Sequence, residues 1–544
     1  MKIKSLLTLT ALLAAVPLSR PGLARESWPA AEGADRQRQL EFSRYEKELQ
    51  AKIAPQLADW AKKGKPFIPS AAKPGDLPQA AVPAFPGAEG GGKFSFGGRG
   101  GRVCVVTNLN DSGPGTFREA CEAAGPRIVV FNVAGIIHLQ KPVFIDAPYL
   151  TIAGQTAPGD GVCVAGESTL VNAHDVVIRY MRFRRATTNV FDRDDALGGN
   201  PVGNIIVDHC SASWGLDENL SMYRHMYDPG NGQKELKLPT VNITIQWSIS
   251  SEALNPFNHA FGSTIGGLNS TFHRNLWACN TARNPSVGMY GDFTFVNNVL
   301  FNWHHRTVDG GDQNSSFNII NNYFKPGPVT PRDDPIRYRI LKPESRRAKP
   351  PVDDFGKAYV SGNVVEGNGK VTADNWAGGV QIEPIGDPAP LLRGIRTNQP
   401  FAHAPLTIQP AAEAYQNVLA DAGDTLPGRD AVDSRIIEEV RTGKVTYEAG
   451  QGIITDISQV GGYPDYKGEP EKDVGADGIP LWWKKKYKLD VKDPNLADKD
   501  LRGDGYTVIE KYLDGLDPTK KIDWSDPRNN VNRLTADKLE PTRR

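Results

Sequence analysis

The sequence predicts an all-β protein whose main body is a parallel β-helix with small helical additions at both ends. From Phe85 onward, short β-branched runs are separated by Gly, Asn and Asp, and helical signals nearly vanish for about 280 residues. Several of these runs place an asparagine at the same point, and Asn275, Asn298 and Asn322 follow one another at steps of 23 and 24 residues. A fixed period of this size indicates stacked, identical units.

Each repeated unit is too small to be stable alone. It offers short strands with one or two apolar positions per face, so only the units above and below it can bury that face. Stacked propeller blades are the competing repeat fold, but their units need about 40 residues and four strands. The shorter steps favour the β-helix. We expect the aligned asparagines, which include Asn363, to bond to one another along one corner, a structural role that requires no ligand.

The first 24 residues have the pattern of a secretory signal. A basic start, "MKIK", precedes an apolar run and a small residue, Ala24, that suits cleavage. The pattern predicts a secreted or periplasmic protein. No run reaches the roughly 18 apolar residues that a membrane helix needs, so we expect no membrane contact after cleavage. Residues 25–82 combine a polar segment of helical periodicity with a linker rich in Pro, Gly and Ala.

The β-helix is predicted for residues 83–370, where the repeats end. Residues 371–470 include segments with apolar residues at helical spacing, and we expect them to pack on the flank of the β-helix. Residues 471–520 form a small module with two short helical pieces around an acidic loop, and the basic tail, residues 521–544, is predicted to be disordered.

The loop of this last module has a residue pattern similar to that of calcium-binding loops. Asp500, Asp504 and Glu510 are candidate ligands, although Arg502 stands where a further acid is expected. The alternative is a small helical pair without metal, packed by three aromatic residues: Trp482, Trp483 and Tyr512.

Overall charge and cysteine content argue against a nucleic-acid-binding protein and against a disulfide-stabilised scaffold. The chain has 544 residues, and 63 basic residues balance 63 acidic ones, which gives no support to nucleic acid as a partner. We expect the protein to be a monomer.

Five cysteines at irregular spacing do not make a disulfide framework, and three of them lie in apolar runs typical of small buried side chains.

One segment gathers oxygen ligands. Six acidic residues fall within 27 positions, on what the repeats make adjacent turns: Asp192, Asp194, Asp195, Asp208, Asp217 and Glu218. Carboxylates from neighbouring turns of a rigid scaffold suit Ca²⁺, which takes six to eight oxygens in irregular geometry. The alternative is that these acids are solvated or cap turns.

A series of ordered motifs gives this segment a family context. The blocks "AFPGAEGGGKFSFGGRGGRVCVVTNLNDSGPGTFREA", "TIAGQTAPGDG", "VIRYMRFR", "DDAL", "IIVDHCSAS", "DENLS" and "FHRNLWACNTARNPS" resemble secreted pectate lyases of polysaccharide lyase family one. The resemblance covers roughly residues 83–325 and extends to "AGDTLPGRDAVDSRI" and "GGYP". It implies a right-handed, single-stranded parallel β-helix that cleaves polygalacturonate by calcium-dependent β-elimination.

The resemblance also implies metal ligands. In the family, an aspartate of a "DA" motif precedes the aspartate of a "DH" motif by thirteen residues, as Asp195 precedes Asp208 here, which makes Asp195 the leading ligand and Asp208 a structural neighbour. The next motif has two acids four residues apart, which correspond to Asp217 and Ser221. Because Ser221 carries no charge, Glu218 is the candidate for the missing carboxylate, although on a regular strand it would point away from Asp217.

By the same resemblance, the catalytic base is Arg283. The family's two other motif arginines and one lysine correspond here to Ser286, Gly288 and Phe261, so three cationic partners are missing. Neighbouring cations lower an arginine pKa, and their loss weakens that effect. The candidates to replace them by binding substrate lie on neighbouring turns: His259, Arg274 and Arg306.

The chemistry accounts for these residue types. Elimination removes the C5 proton of a uronate, and a cation on the C6 carboxylate stabilises the charge that develops there. The expected function is therefore that of a calcium-dependent pectate lyase acting on polygalacturonate. Two alternatives stay open: a galacturonan hydrolase of similar shape that uses paired carboxylates and water, and a catalytically impaired pectin-binding β-helix.

Overall fold

The computed structural model describes residues 32–186, 193–230, 232–289, 291–345, 351–383 and 387–535. The predicted signal, residues 1–24, and Asp192 of the acidic segment lie outside the described residues. No helix within those described ranges is long and apolar enough to cross a membrane.

Most of the described chain consists of short strands that recur in a regular order. In chain order, the strands are β1 Arg102–Val106, β2 Arg127–Phe131, β3 Gly135–His138, β4 Val143–Ile145, β5 Leu150–Ala153, β6 Val162–Ala165, β7 Thr169–Val171, β8 Val176–Arg179, β9 Arg182–Arg184, β10 Leu197–Gly198, β11 Gly203–Asp208, β12 Ser211–Ser213, β13 Arg224–Tyr227, β14 Leu236–Pro239, β15 Val241–Gln246, β16 Ile249–Ser251, β17 Thr264–Ile265, β18 Leu268–His273, β19 Leu276–Ala278, β20 Ser286–Val287, β21 Gly291–Val296, β22 Val299–Phe301, β23 Val308–Gly310, β24 Ser315–Ile320, β25 Tyr323–Lys325, β26 Leu341–Pro343, β27 Lys357–Ser361 and β28 Val364–Val365.

Apart from the antiparallel pair β13-β14, these strands form parallel sheets that run along one axis. The first sheet has the order β1-β2-β5-β8-β11-β15-β18-β21-β24-β27, and the second has the order β3-β6-β9-β12-β16-β19-β22-β25-β28. Two shorter sheets, β4-β7-β10 and β17-β20-β23-β26, form a third side. Successive coils each give one strand to each side, as β18, β19 and β20 do before β21, β22 and β23. The predicted parallel β-helix is confirmed.

The interior is filled by aligned apolar side chains. One interior stack runs through nine strands of the first sheet, each residue paired with the next: Val129, Ile152, Ile178, Val207, Ile245, Phe272, Phe295, Ile319 and Val360. All nine are buried, and none is more than 4% exposed. Because each coil covers the apolar side chain of the one beneath it, the stack is the core that no single coil could form.

The aligned asparagines form a continuous ladder. Backbone N–H groups of Asn275, Asn298 and Asn322 donate to the side-chain oxygens of Asn298, Asn322 and Asn363 at 2.9, 2.8 and 2.9 Å. The side-chain amide of Asn298 donates to the carbonyl of Phe272 at 2.9 Å. All the ladder asparagines are buried. The predicted structural role of this corner is confirmed, and the ladder continues to Asn375.

Helices lie at the ends and on the flanks. The α-helices are α1 Gly33–Lys62, α2 Phe117–Cys121, α3 Gly369–Ala373, α4 Ala389–Ile395, α5 Ala411–Asp421, α6 Ala431–Thr442, α7 Leu481–Lys486 and α8 Val508–Leu513. The 3-10 helices are Pro74–Asp76, Gly91–Phe94, Gly154–Thr156, Pro335–Tyr338, Val352–Asp354, Glu448–Gly450, Ile457–Val460 and Pro527–Asn529. The predicted helical lead segment is α1, and α5 and α6 pack Val418 and Ile436 against Ile249 and Leu276 of the second sheet.

The C-terminal segments lie on the first sheet. Residues around α7 and α8 pack Trp483 and Ile509 on Ile128 and Val130 of β2. The prediction that Trp482 helps to pack this module is wrong, because the residue is 54% exposed. Residues 521–535, part of the tail for which the sequence predicts disorder, instead contact the β-helix, where Asn530 accepts a hydrogen bond from the backbone of Gly87 at 3.0 Å.

All five cysteines are free. Four of them are buried, and Cys104 is half-buried. Burial raises the pKa of Cys163 to about 12, so this thiol stays protonated near neutrality. The prediction of small buried side chains for the three cysteines in apolar runs is confirmed for Cys163 and Cys210, whereas Cys104 is half-buried.

Candidate active site

The third side of the β-helix and the coil segments beside it carry most of the predicted site residues. Across the strands β17, β20, β23 and β26, Thr264 pairs with Ser286, Ser286 with Asp309, and Asp309 with Lys342. These paired residues point to the same side of the sheet and form a row of polar and charged groups along the axis. Single bridges join Glu218 to Phe261 and Phe261 to Ala282 on the coils beside this row.

Three carboxylates meet at one end of the row. One oxygen from each of Asp195, Asp217 and Glu218 lies within 4.8 Å of the others, and this is the only such group of acids, histidines or cysteines among the described residues. The backbone N–H of Glu218 donates to Asp195 Oδ1 at 3.0 Å, which fixes one carboxylate against the chain that carries another. We refer to these three residues as the carboxylate cluster.

A bend in the chain brings Glu218 to the same side as Asp217. The N–H groups of Leu216 and Asp217 both donate to the carbonyl of Asp194, at 3.0 and 2.9 Å. Two consecutive donors on one acceptor are incompatible with a regular strand, in which alternate residues face opposite sides. The concern that Glu218 would point away from Asp217 is therefore resolved by the irregular backbone at this point.

The cluster has the electrostatics of a cation site. Burial and the nearby charges of Glu218 and Asp217 raise the pKa of Asp195 well above its usual range. Burial also acts to raise the pKa of Asp217, but the hydrogen bond from His259 and the charges of His259, Arg193 and Arg283 outweigh it and lower that pKa. Three converging carboxylates form the all-oxygen donor set that Ca²⁺ prefers, so the residues present fit this ion.

Arg283 lies directly beside the cluster. Its Nη1 donates to Glu218 Oε1, lies 3.8 Å from Asp217 Oδ1, and donates to Thr264 Oγ1 at 3.4 Å. The guanidinium carbon lies 4.4 Å from the centre of the Phe261 ring. Burial acts to lower the pKa of Arg283, but Glu218 and Asp217 outweigh it and raise that pKa. While Glu218 holds it, Arg283 is firmly protonated.

Ser221, the fourth predicted metal ligand, has a different set of contacts. Its hydroxyl accepts a hydrogen bond from the backbone N–H of Thr264 at 2.8 Å. Thr264 in turn donates through its own hydroxyl to Glu218 Oε1 at 2.7 Å. Ser221 thus positions the threonine that holds Glu218, and Glu218 provides the third carboxylate.

The three positions without the family's cations are filled in other ways. Ser286 donates to the carboxylate of Asp309. At Gly288, a Cβ would lie 2.2 Å from Cδ2 of Tyr223, so that ring occupies the space of a side chain. Phe261 packs its ring on His259, with 3.9 Å between ring centres. None of these contacts supplies a positive charge to Arg283.

Two of the three predicted substrate-binding residues lie at the site. His259 Nε2 is hydrogen-bonded to Asp217 Oδ1. Arg306 donates to Asp309 Oδ2 at 2.7 Å, and its guanidinium carbon lies 5.6 Å from the centre of the Phe261 ring. The structure brings both residues together with Arg283 and the carboxylate cluster.

Arg274 is not part of this group. It follows β18 of the first sheet, where Nη1 donates to Glu89 Oε2 at 3.1 Å and Nη2 donates to the carbonyl of Thr407 at 2.9 Å. Its side chain is 8% exposed. Arg274 joins the segments that precede and follow the β-helix, a structural role that corrects its assignment as a substrate-binding residue.

Asp194 and Asp208 are also structural. Asp194 accepts hydrogen bonds from Ser168 and Arg185 at 2.8 and 2.9 Å. Asp208 is fully buried, and His209 and Arg179 outweigh the effect of burial and hold its pKa below the usual range. The implied role of Asp208 as a structural neighbour fits these contacts.

A cleft opens beside Phe261, on the side away from the carboxylate cluster. It has a volume of about 580 Å³, and its lining includes His304, His305, Arg306, Arg339 and Lys342. The sequence interpretation did not single out Arg339 or Lys342, because they lie in a stretch without a recognisable repeat. The basic residues of "IRYRILK", which runs into the start of β26, are the available signal.

The acidic loop of the C-terminal module does not gather its carboxylates. Asp500 accepts hydrogen bonds from backbone N–H groups of its own loop, among them those of Gly503 and Gly505 at 2.8 Å each. Asp504 pairs with Lys511 at 2.7 Å, and Glu510 pairs with Arg99 at 2.7 Å. The ammonium group of Lys511 and the guanidinium group of Arg99 thus already bind two of the three candidate metal ligands. The alternative prediction, a helical pair without metal, therefore describes this module better.

Comparison with known proteins gives the relatives of the chain. No family model matches it. It is 36% identical over 448 residues to "Probable pectate lyase C" of Aspergillus fumigatus, covering 81% of this chain and 95% of that protein. It is 34% identical over 449 residues to the protein of the same name from Aspergillus flavus, with the same two shares. A solved pectate lyase from Bacillus sp. N165 in complex with trigalacturonate is 14% identical, with a TM-score of 0.40, over 62% of this chain and 99% of that one.

Proposed function

This chain belongs to the pectate lyase family, and from that premise we propose that it cleaves α-1,4-linked galacturonan by calcium-dependent β-elimination at the carboxylate cluster and Arg283. The observation that supports this proposal most is the meeting of three carboxylates with a single arginine. Asp195, Asp217 and Glu218 would hold Ca²⁺, since their oxygens converge within 4.8 Å.

The reaction needs a cation and a base at neighbouring points. Calcium held by the cluster would neutralise the C6 carboxylate of the substrate and stabilise the charge that develops there when the C5 proton leaves. Arg283 is the proposed base, because its guanidinium lies between the cluster and Phe261. Arg283 must first lose a proton to water before it can accept the C5 proton, and the pairing with Glu218 opposes that loss because it raises the pKa of Arg283. The pairing must therefore loosen before Arg283 can act as the base.

The remaining residues of the site have supporting roles in this proposal. His259 holds Asp217 in place through its hydrogen bond. The Phe261 ring offers an apolar surface for the C–H face of a sugar. Arg306 is partly free to bind substrate, because only its Nη1 has a hydrogen-bond partner among the residues that the structure describes.

Export of the protein is part of the same proposal. It is supported by the signal-like pattern of residues 1–24. The size of the proposed substrate, a polysaccharide, also favours an enzyme that works outside the cell membrane. We propose a secreted or periplasmic, monomeric enzyme.

The test follows the product of the reaction. The purified protein is incubated with polygalacturonate in calcium or in chelator, and ultraviolet absorbance of the unsaturated product is recorded together with reducing ends. We expect absorbance that requires calcium. Arg283→Ala should lower the rate by about 10²- to 10⁴-fold, the usual contribution of a general base, whereas Arg337→Gln, a change outside the site, should not.

Other outcomes identify other functions. Reducing ends without absorbance would show hydrolysis, and substrate binding with neither signal would show a binding protein. Absorbance that persists after full chelation would reject the proposed calcium dependence. Full activity of Arg283→Ala would reject Arg283 as the catalytic base.

A further inference from the structure

The cleft beside Phe261 has the size and position of a second substrate-binding region. Its volume of about 580 Å³ lies within the roughly 300–1,000 Å³ typical of ligand pockets. Its wall includes Phe261 and Ala282, the residue before Arg283. A polysaccharide that reaches Arg283 can therefore continue into this cleft.

Arg339 lines the cleft as a buried cation without a counterion. The residue is 7% exposed. Its Nε donates to Gln381 Oε1 at 2.8 Å, and its Nη1 donates to the carbonyl of His305 at 3.3 Å. Both partners are neutral, and in the described part of the chain no carboxylate lies within ion-pair distance of Arg339. Burial lowers its pKa, and more distant carboxylates do not offset this effect.

Other buried arginines in the described part of the chain are held either by carboxylates or, as for Arg127, by five backbone carbonyls, whereas the Arg339 guanidinium has only two acceptors there. Arg184 contacts Asp430 and Asp433 at 2.7 and 3.0 Å. Arg179 contacts two further aspartates, at 2.9 and 2.6 Å. A buried charge is costly unless it is paired, so the position of Arg339 at a cavity wall indicates that its partner is an anionic ligand.

Lys342 is a further cation of the cleft, beside Arg306, which is paired with Asp309. The present partners of Lys342 are easily exchanged. It pairs with Glu383 at 2.8 Å and with Glu344 at 3.6 Å, and these carboxylate side chains are 74% and 41% exposed. Ion pairs with exposed partners contribute little, because water and salt screen them. A ligand carboxylate can replace Glu383 on Lys342 at little cost.

The other groups of the cleft suit a sugar. Burial lowers the pKa of His304 and lowers that of His305 to about 4, so both imidazoles are neutral near pH 7. Neutral imidazoles can both donate to and accept from hydroxyl groups. Together with the Phe261 ring, they provide hydrogen-bonding and apolar contacts around Arg339 and Lys342.

We propose that this cleft binds the free carboxylate of a uronate residue near the one that loses its proton, with Arg339 and Lys342 as specificity-determining residues for unesterified galacturonan. The inference rests on the proposed function, because it takes its ligand from that substrate. A methyl ester at this position leaves Arg339 buried and unpaired, which is why the cleft discriminates between the acid and its ester.

Direct binding measurements test the cleft separately from catalysis. Hexagalacturonate and its fully methyl-esterified form are titrated calorimetrically into wild type, Arg339→Gln and Lys342→Met in chelator, where the proposed lyase reaction is off. We expect each variant to bind the acid about 10- to 100-fold more weakly than wild type, the usual effect of losing a hydrogen bond to a charged group. The ester should bind weakly to all three proteins.

Two further variants make the result specific. Glu383→Gln removes the competing carboxylate, and we expect it to tighten binding of the acid up to about fivefold. Arg337→Gln changes a neighbouring arginine outside the cleft lining and should bind like wild type. Thermal unfolding of each variant checks that it is folded.

The outcomes separate this inference from the proposed function. Unchanged affinity for the acid in folded Arg339→Gln and Lys342→Met, or equal affinity of wild type for acid and ester, would overturn the cleft assignment even if calcium-dependent elimination is observed. The expected pattern of affinities in a protein that shows no elimination would support the cleft and reject the lyase mechanism.

Discussion

At the scale of single residues, the site is organised around the contact between Arg283 and Glu218. One carboxylate serves two neighbours, because Glu218 belongs to the carboxylate cluster and also holds the Arg283 guanidinium. A cation bound by the cluster and the charge of Arg283 therefore compete for the same oxygen atoms. Metal binding and the state of the proposed base are coupled through this one side chain.

The competition predicts that Arg283→Ala binds calcium more tightly than wild type. We expect a decrease in Kd of about 2- to 10-fold, since Glu218 loses its competing partner. Calorimetric titration of calcium in the absence of substrate measures it. Glu218→Gln should weaken binding, and a weaker calcium affinity in Arg283→Ala would contradict the competition.

Sequence reasoning found these residues but not their arrangement. Asp195, Asp217 and Glu218 are candidates because the repeats place them on adjacent coils, and Arg283 is a candidate because the family resemblance implies it. The side on which Glu218 lies depends on two N–H groups that share the carbonyl of Asp194, a contact between adjacent coils. Arg274 was misassigned because its partners come from segments outside the repeats, and no local pattern reveals them.

At the scale of elements, the asparagine ladder links coils that otherwise meet only through short strands. Each rung satisfies a buried backbone N–H of the coil beneath it, as Asn298 does for Asn275. The sequence predicted this ladder because its members repeat at a nearly fixed step. The stretch that contributes Arg339 and Lys342 has no such step, so its strand and the cleft it lines could not be predicted.

The ladder predicts a large loss of stability when one rung is removed. Asn298→Ala leaves the N–H of Asn275 and the carbonyl of Phe272 buried without these partners, and we expect a loss of about 2–4 kcal/mol in the free energy of unfolding. Urea titration measures the change. Asn314→Ala, at an exposed turn, should change it little, and an equal effect of the two substitutions would show that the ladder adds nothing.

At the scale of the whole molecule, the segments outside the repeats hold the β-helix from both ends of the chain. Arg274 connects Glu89 to the backbone of Thr407, and Asn530 bonds to Gly87. His209, after β11, contacts Asp421 at the end of α5 at 3.2 Å. The flanking segments are therefore joined to the coils by buried polar contacts as well as by apolar packing.

The contact of His209 predicts how stability depends on pH. Burial acts to lower the pKa of His209, but Asp208 and Asp421 outweigh it and raise that pKa to about 9. A raised histidine pKa contributes stability that is complete below the unfolded value, about 6.5, and is lost as pH rises through about 9. We expect the free energy of unfolding of wild type to fall by about 1–3 kcal/mol more than that of His209→Gln over this window.

Urea titrations at several pH values, with wild type and His209→Gln side by side, measure this difference. The comparison is needed because burial also raises the pKa of Asp424 and of Asp514 to about 7, and both titrate in the wild type and in the variant. Parallel pH profiles of the two proteins would show that the imidazolium does not hold α5.

The ring of Tyr223 beside Gly288 limits which substitutions this part of the site can accept. Any side chain at position 288 would overlap that ring, since even a Cβ would lie 2.2 Å from it. A single substitution to arginine at this position is therefore disfavoured unless residue 223 has first become smaller. An arginine at position 288 thus requires two substitutions, and the change at residue 223 has to come first.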